Sequence, residues 1–174
     1  MHCGGARASE IRQRAGRWVS GLSSGRSFDR MGDMPAEFDK MGVRFAYPEN
    51  WTLDSDELNE DGNTITVYSP GGGFWSLAVH PAGSSAGKLA AEALEAMSEE
   101  YEHLESQEVS DTIGEDRLIG FDLNFFYLDL TSTAKIRCVS RSGATYAIFC
   151  QAEDREFEQI GEVFRAITAS LLNE

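Results

Sequence analysis

Histidine, cysteine, proline and positive charge are all scarce in this chain. Three His among 174 residues, none beside an activated Ser or Cys, leave little material for acid–base or covalent catalysis, and no enzyme is expected. No apolar run approaches the roughly 20 residues of a membrane-spanning helix, so no membrane span is expected. Lys and Arg number 15 against 29 Asp and Glu, a net charge of −14. A surface that acidic repels phosphate backbones, which removes nucleic acid from the expected partners. Three Cys supply no disulfide framework. Cys138 and Cys150 lie in apolar stretches on two arms of a hairpin that turns at Arg141-Ser142-Gly143. A two-residue turn pairs Cys138 with Ala147 and sends Cys150 to the opposite face. A three-residue loop pairs Cys138 with Tyr146 and leaves Cys150 about 13 Å farther along. Neither register allows a bridge, so both read as reduced, buried thiols, pointing to a reducing compartment.

The positive charge that exists is concentrated at one end. Residues 1–33 carry six Arg against Glu10, Asp29 and Asp33, whereas the rest carries nine Lys or Arg against 26 Asp or Glu. The first segment is therefore +3 and the remainder −17. Gly, Ser and Arg dominate residues 1–33 without apolar periodicity, so they read as a disordered extension, with Met31 and Met34 as alternative starts. Trp18-Val19 is their longest strongly apolar run, too short for a signal-peptide core, and a cytoplasmic location is expected. Residues 34–174 read as a single domain.

Apolar material is plentiful: 41% of residues are hydrophobic, including 10 Phe, five Tyr and three Trp, enough for a packed core. Val43, Phe45 and Tyr47 alternate as a half-buried strand that Pro48 closes before Trp51. An acidic loop, Asp54 to Asn63, precedes an alternating strand at Thr64–Ser69. Pro70-Gly71-Gly72-Gly73 turns the chain into a strand at Phe74–His80. From Lys88 to Glu105, Ala90, Ala93, Leu94, Met97, Tyr101 and Leu104 fall at helical spacing. Gln107–Ile113 reads as an edge strand and Arg117–Leu130 as a long strand broken or bent near Gly120. Thr131–Ser140 and Ala144–Gln151 form the hairpin, whose second arm is apolar on both faces and so demands layers on both sides of the sheet. Asp154 is a plausible helix cap, and Phe157, Ile160, Phe164, Ile167 and Leu171 step along one face of a closing helix. The expected class is α+β: an α/β/α sandwich around a mostly antiparallel sheet of six or seven strands, with helices on both faces.

The opening alternation closed by Tyr47-Pro48 and anchored by Trp51, the strand pair after it, the Lys88–Glu105 helix, the long C-terminal strands and the Phe164-x-x-Ile167-x-x-Ser170-Leu171 helix together resemble the Mog1/PsbP-like group, which includes the DcrB-type bacterial domains. The resemblance runs from about Met41 to Leu172. It implies non-enzymatic binding or assembly work on another protein, since such domains include a nuclear GTPase partner, a photosystem extrinsic subunit and secretion-effector chaperones.

Several local patterns imitate known sites. Ala82-Gly83-Ser84-Ser85-Ala86-Gly87-Lys88-Leu89 approximates a phosphate-binding loop, and Phe125-Phe126-Tyr127-Leu128-Asp129 approximates the strand that supports Mg²⁺ beside one. Leu89 stands where the metal-ligating Ser or Thr belongs, and the flanking strands read as antiparallel. Gly21-Leu22-Ser23-Ser24-Gly25 spells a nucleophile elbow without the strand it needs. A calcium loop starting at Asp54 would need Gly at 59 and Glu at 65, which are Asn59 and Ile65. Glu99 and His103, four apart, are weak metal candidates that lack a third ligand unless His80 approaches. No cofactor is expected. The expected partner is a protein, met by a surface comprising Trp51, the acidic Asp54, Asp56 and Glu57, and Phe74-Trp75. A small-ligand or metal-binding pocket between the Lys88–Glu105 helix and the sheet is the alternative.

Overall fold

A computed structural model describes residues 35–54 and 63–173. The expected boundary at residue 33, the nucleophile-elbow pattern, Asp56 and Glu57 all lie outside the described residues. The first elements are two short strands, β1 (Ala36–Lys40) and β2 (Val43–Tyr47), paired antiparallel. They turn at Met41 and Gly42, both at positive φ (59° and 74°), the conformation that matches the twist of a two-residue hairpin. Phe38 and Phe45 face each other across it, rings stacked with centroids 5.1 Å apart. The strand expected to open the main sheet thus belongs to a separate two-stranded sheet. Its partner β1 escapes the sequence reading because Phe38 is its one fully buried side chain.

The main sheet has seven strands, all antiparallel, in the order β3-β4-β5-β9-β8-β7-β6. These are β3 (Thr52–Asp54), β4 (Thr64–Tyr68), β5 (Phe74–Pro81), β6 (Glu105–Ile113), β7 (Asp116–Tyr127), β8 (Leu130–Ser140) and β9 (Ala144–Glu153). Helix α1 (Ala86–Glu100) covers one face over β7, β8 and β9, burying Ala90 and Met97. Helix α2 (Asp154–Leu172) lies on the other face, burying Ile160, Phe164, Ile167 and Leu171 at the expected spacing. The β1–β2 hairpin packs beside α2 on that same face: Phe45 meets Trp75 of β5 at 4.9 Å, and the Ala46 N–H donates to Ser170 Oγ of α2 at 2.9 Å. The α+β sandwich with helices on both faces is therefore present.

Several details differ from the sequence reading. Helix α1 stops at Glu100, capped by Tyr101, whose ring turns down onto Phe125 with centroids 4.2 Å apart. Strand β7 runs unbroken through Gly120. The backbone of β8 closes on the chain there, so that a Cβ at Gly120 would lie 1.8 Å from the Ile136 carbonyl oxygen. The apolar run ending at Leu130 is interrupted by a tight turn at Leu128 and Asp129, both at positive φ (48° and 63°). The cap of α2 is Glu153, whose carboxylate accepts from the Arg155 N–H at 3.1 Å, while Asp154 accepts from Thr133 Oγ1 at 2.7 Å.

Candidate functional site

Helices on both faces bury the aromatics expected at a partner surface. Trp75 is 0% exposed, and its indole N–H donates to Thr168 Oγ1 of α2 at 3.0 Å. Phe74 points to the other face, against Phe149 at 5.7 Å. Trp51 meets Phe164 edge-on at 5.6 Å. All three belong to the core, so they cannot supply the exposed surface expected of them. Asp54 is half-buried in β3. The triple glycine serves packing as well: Glu156 of α2 accepts hydrogen bonds from Ser69 Oγ and the Gly73 N–H, the latter at 3.1 Å, and a Cβ at Gly73 would lie 2.8 Å from Ile160.

The weak metal candidates are not brought together on a helix face. Glu99 sits in the last turn of α1, but His103 lies beyond it at φ 59°, so one-turn helical spacing does not apply. His80 stands at the far end of β5 from the Phe74 turn, its pKa lowered by burial against an opposing Glu92. The imitation phosphate loop is a capped helix start: Ser85 Oγ accepts from the Lys88 N–H at 3.2 Å, and β5 before it is antiparallel to both neighbours. The hairpin register is that of the two-residue turn, Cys138 opposite Ala147 and Cys150 opposite Lys135. The two thiols therefore sit on opposite faces. Burial pushes each up to about 12, which withholds the thiolate that nucleophilic chemistry needs.

Exposed apolar surface is concentrated at the β7–β8 turn. Phe126, Leu128 and Leu130 are 66%, 62% and 56% exposed. Phe126 leaves β7 on the side that carries Asp122 and Asn124, past the start of α2, while Tyr127 folds back against Tyr101 with centroids 6.1 Å apart. Leucine is disfavoured at φ 48° because its Cβ crowds the backbone, whereas Asp129 tolerates its positive φ, so the mismatch with the Asn-Gly pair this turn favours lies at Leu128. The ground around the tip is acidic. Glu102 follows Tyr101, Glu105 begins β6 opposite Asn124, Asp129 is in the turn, and Glu153 and Asp154 lie at the end of β9 beside β8. Arg155 offsets only part of this charge.

On the α2 face the helix and the β1–β2 hairpin leave a recess over β6, β7, β8 and part of β9. It has a volume of about 470 Å³, with Leu118, Ile148 and Cys150 in its floor and Phe164 of α2 in its wall. Arg137 crosses this floor. Its Nε donates to Asp111 and its Nη2 to Asp122, both at 2.6 Å, and its Nη1 donates to the Ile136 and Phe121 carbonyls at 2.9 and 3.2 Å. Gly120 lies directly opposite Arg137 in the sheet, which leaves the guanidinium room to reach across β7 to β6. Lys135 stands over the Phe157 ring, 5.5 Å from its centroid. Arg165 of α2 reaches the Thr112 carbonyl at 3.4 Å.

No family model matches the sequence, and no curated protein matches it. Solved structures similar in fold include two that cover most of this chain. Cyanobacterial PsbP (CyanoP) from Synechocystis sp. PCC 6803 superposes with a TM-score of 0.55 at 8% identity, covering 86% of this chain and 96% of that one. PA94, a protein of unknown function from Pseudomonas aeruginosa, superposes with a TM-score of 0.52 at 8% identity, covering 80% of this chain and 97% of that one. The likeness is one of fold, as the Mog1/PsbP-like resemblance implied, and at such identity it carries no site residues across.

Proposed function

We propose that this PsbP-like domain is a non-catalytic docking module that grips a protein partner with the β7–β8 tip. The observation that carries the reading is the exposure of Phe126, Leu128 and Leu130 on a turn whose backbone is unfavourable for Leu128. Large apolar groups held out in water at a strained turn are what a docking anchor requires, because an anchor releases its apolar area only when a partner pocket receives it. The acidic ground around the tip favours a partner whose apolar pocket is rimmed by Lys and Arg. Burial keeps Cys138 and Cys150 protonated, which supports binding over thiol catalysis.

Affinity capture with the full chain from its own cells tests this, comparing wild type with Leu128→Glu and with Gln107→Lys on the β6 edge. Both substituted positions are exposed, so equal thermal stability is expected. A partner held by wild type and Gln107→Lys but lost from Leu128→Glu supports the tip. Equal retention by Leu128→Glu overturns it, and selective loss from Gln107→Lys moves the interface to the sheet edge.

A further inference from the structure

Among the described residues, no helix covers one part of the sheet whose side chains are nevertheless shut off from solvent. Helix α1 lies over β7, β8 and β9. Strand β4 is three places from β8, about 14 Å away, and a helix with its side chains reaches only about 5–6 Å from its axis. On the α1 side, β4 and β5 still bury Thr66 (1% exposed), Phe74 (5%) and Ser76 (7%). Thr66 Oγ1 and Ser76 Oγ share a hydrogen bond at 3.0 Å, and the rings of Tyr68 and Phe149 flank Phe74. Hydroxyls joined to each other between aromatic rings suit an apolar cover.

The margin beside α1 asks for a polar group of positive charge. The Tyr101 hydroxyl is buried without a hydrogen-bond partner among the described residues, although it lies in the field of Glu100 and close to Gln151, the residue opposite Phe74. A buried hydroxyl left unsatisfied is costly. Glu99 and Glu100 end α1, which has no basic residue in its last turn, where the helix dipole favours a cation. Two stretches outside the described residues could supply the cover. Residues 55–62 offer Leu58 beside four carboxylates, Asp56, Glu57, Glu60 and Asp61, which suits neither the aromatic floor nor the acidic margin. Residues 1–34 offer Ile11, Ala15, Trp18, Val19 and Leu22 at steps of 4, 3, 1 and 3, the spacing of one helix face, flanked by Arg12 and Arg14. The Gly, Ser and Arg of the segment as a whole mask this local stripe. From residue 22 to β1 the chain can extend about 45 Å, enough to pass round the β3 edge from one face to the other.

We propose that residues 11–22 dock their apolar stripe on the β4–β5 face beside α1, with a flanking arginine toward Glu100 and the Tyr101 hydroxyl. The guanidinium donates to the carboxylate and to the phenol oxygen, and a segment of charge +3 meets a domain of charge −17. Phe126, Leu128 and Leu130 take no part, so this contact and the β7–β8 tip can fail independently.

Paramagnetic broadening in the full chain tests it. Cys3→Ser with Ser20→Cys puts an accessible thiol on the side of the stretch opposite the stripe, Cys138 and Cys150 being buried, and a nitroxide is attached there. The amides of Thr66, Ser76, Ala78 and Phe149 are expected to lose most of their NMR intensity, while Val109 and Ile113 of β6, at the far edge of the sheet, keep theirs. Adding Trp18→Asp is expected to restore the lost signals with the β6 shifts unchanged, which separates undocking from unfolding. Arg12→Gln with Arg14→Gln is expected to weaken the broadening without abolishing it. Broadening that is absent, spread evenly over the sheet, or confined to residues 126–130 would overturn the proposal. So would broadening passed to an isotope-labelled, nitroxide-free chain mixed with the spin-labelled one, since the contact would then join two copies. Unchanged broadening in the double Gln variant would overturn the placement of the arginine.

Discussion

Among single residues, Arg137 carries the most connections. Its guanidinium ties β8 to β7 and β6 through Asp122 and Asp111, and it is buried while the two carboxylates are about one-third exposed. Arg137→Met keeps much of the stem but leaves both carboxylates without their cation. Because water reaches those oxygens, the expected loss is about 2 kcal/mol, below the 3–5 of a fully buried pair, read as a lower urea midpoint. For Asp111, burial alone would raise the pKa, but the hydrogen bond from Arg137 and the charges of Arg137, Lys135 and Arg165 outweigh it and hold the carboxyl below its ordinary value. A folded pKa below the unfolded one gives stability that is complete above the ordinary Asp range and is lost as pH falls through the folded value. The urea midpoint should therefore fall as pH drops below about 4, and Asp111→Asn should flatten that part of the profile. An unchanged acid limb in Asp111→Asn would show that the pair contributes nothing there. The thiols give a second check: with both pushed up to about 12, Cys138 and Cys150 should resist iodoacetamide in the native protein at pH 8 and react once denaturant is added, as peptide mass spectrometry would detect.

Strands and turns explain which parts of the fold the sequence discloses. At the β7–β8 turn, Leu128→Asn with Asp129→Gly supplies the residues a turn with two positive φ values prefers. The double variant should gain roughly 1 kcal/mol of stability while losing the partner that wild type captures. A variant that is less stable, or that keeps the partner, would remove the link between turn strain and docking. Gly120→Ala should cost about 3 kcal/mol because β8 backbone occupies the position of the new methyl; a fully wild-type urea midpoint would contradict that close approach. The sheet and α2 were legible because burial on one or both faces enforces strict periodicity, as in Phe157, Ile160, Phe164, Ile167 and Leu171. The β1 strand was not, having a single buried Phe38. Nor was the β7–β8 tip, since Phe125-Phe126-Tyr127-Leu128 reads as core strand until the turn at 128–129 is known, and Asp129 alone is too weak a turn signal to break that run. Trp75, expected at a partner surface, is buried for the opposite reason: two covering layers bury both parities of β5. The recess draws on β6, β7, β8, β9 and α2 over residues 111–168, so no local spacing encodes it.

At the scale of the molecule, uneven charge sets folding against binding. Fifteen cations cannot neutralise 29 carboxylates, and among the described residues many carboxylates are displayed at the surface, Glu95 and Glu99 on α1 and Glu108 on β6 among them. Their mutual repulsion opposes the compact state, and salt screens it, the Debye length shrinking from about 30 Å at 0.01 M to about 10 Å at 0.1 M. Urea carries no charge, so ionic strength can be varied independently of denaturant. Raising NaCl from about 0.01 to 0.5 M should shift the urea midpoint upward by screening. Capture of a partner with a basic rim should weaken over the same range, because its attraction to Glu102, Glu105 and Asp129 is screened by the same ions. Opposite signs for folding and docking are the signature of an acidic domain with an apolar anchor on acidic ground. A midpoint that falls with salt would mean that ion pairs such as Arg137 with Asp111 outweigh the repulsion. Capture that is indifferent to salt would leave the apolar tip in place but remove the basic rim from the partner.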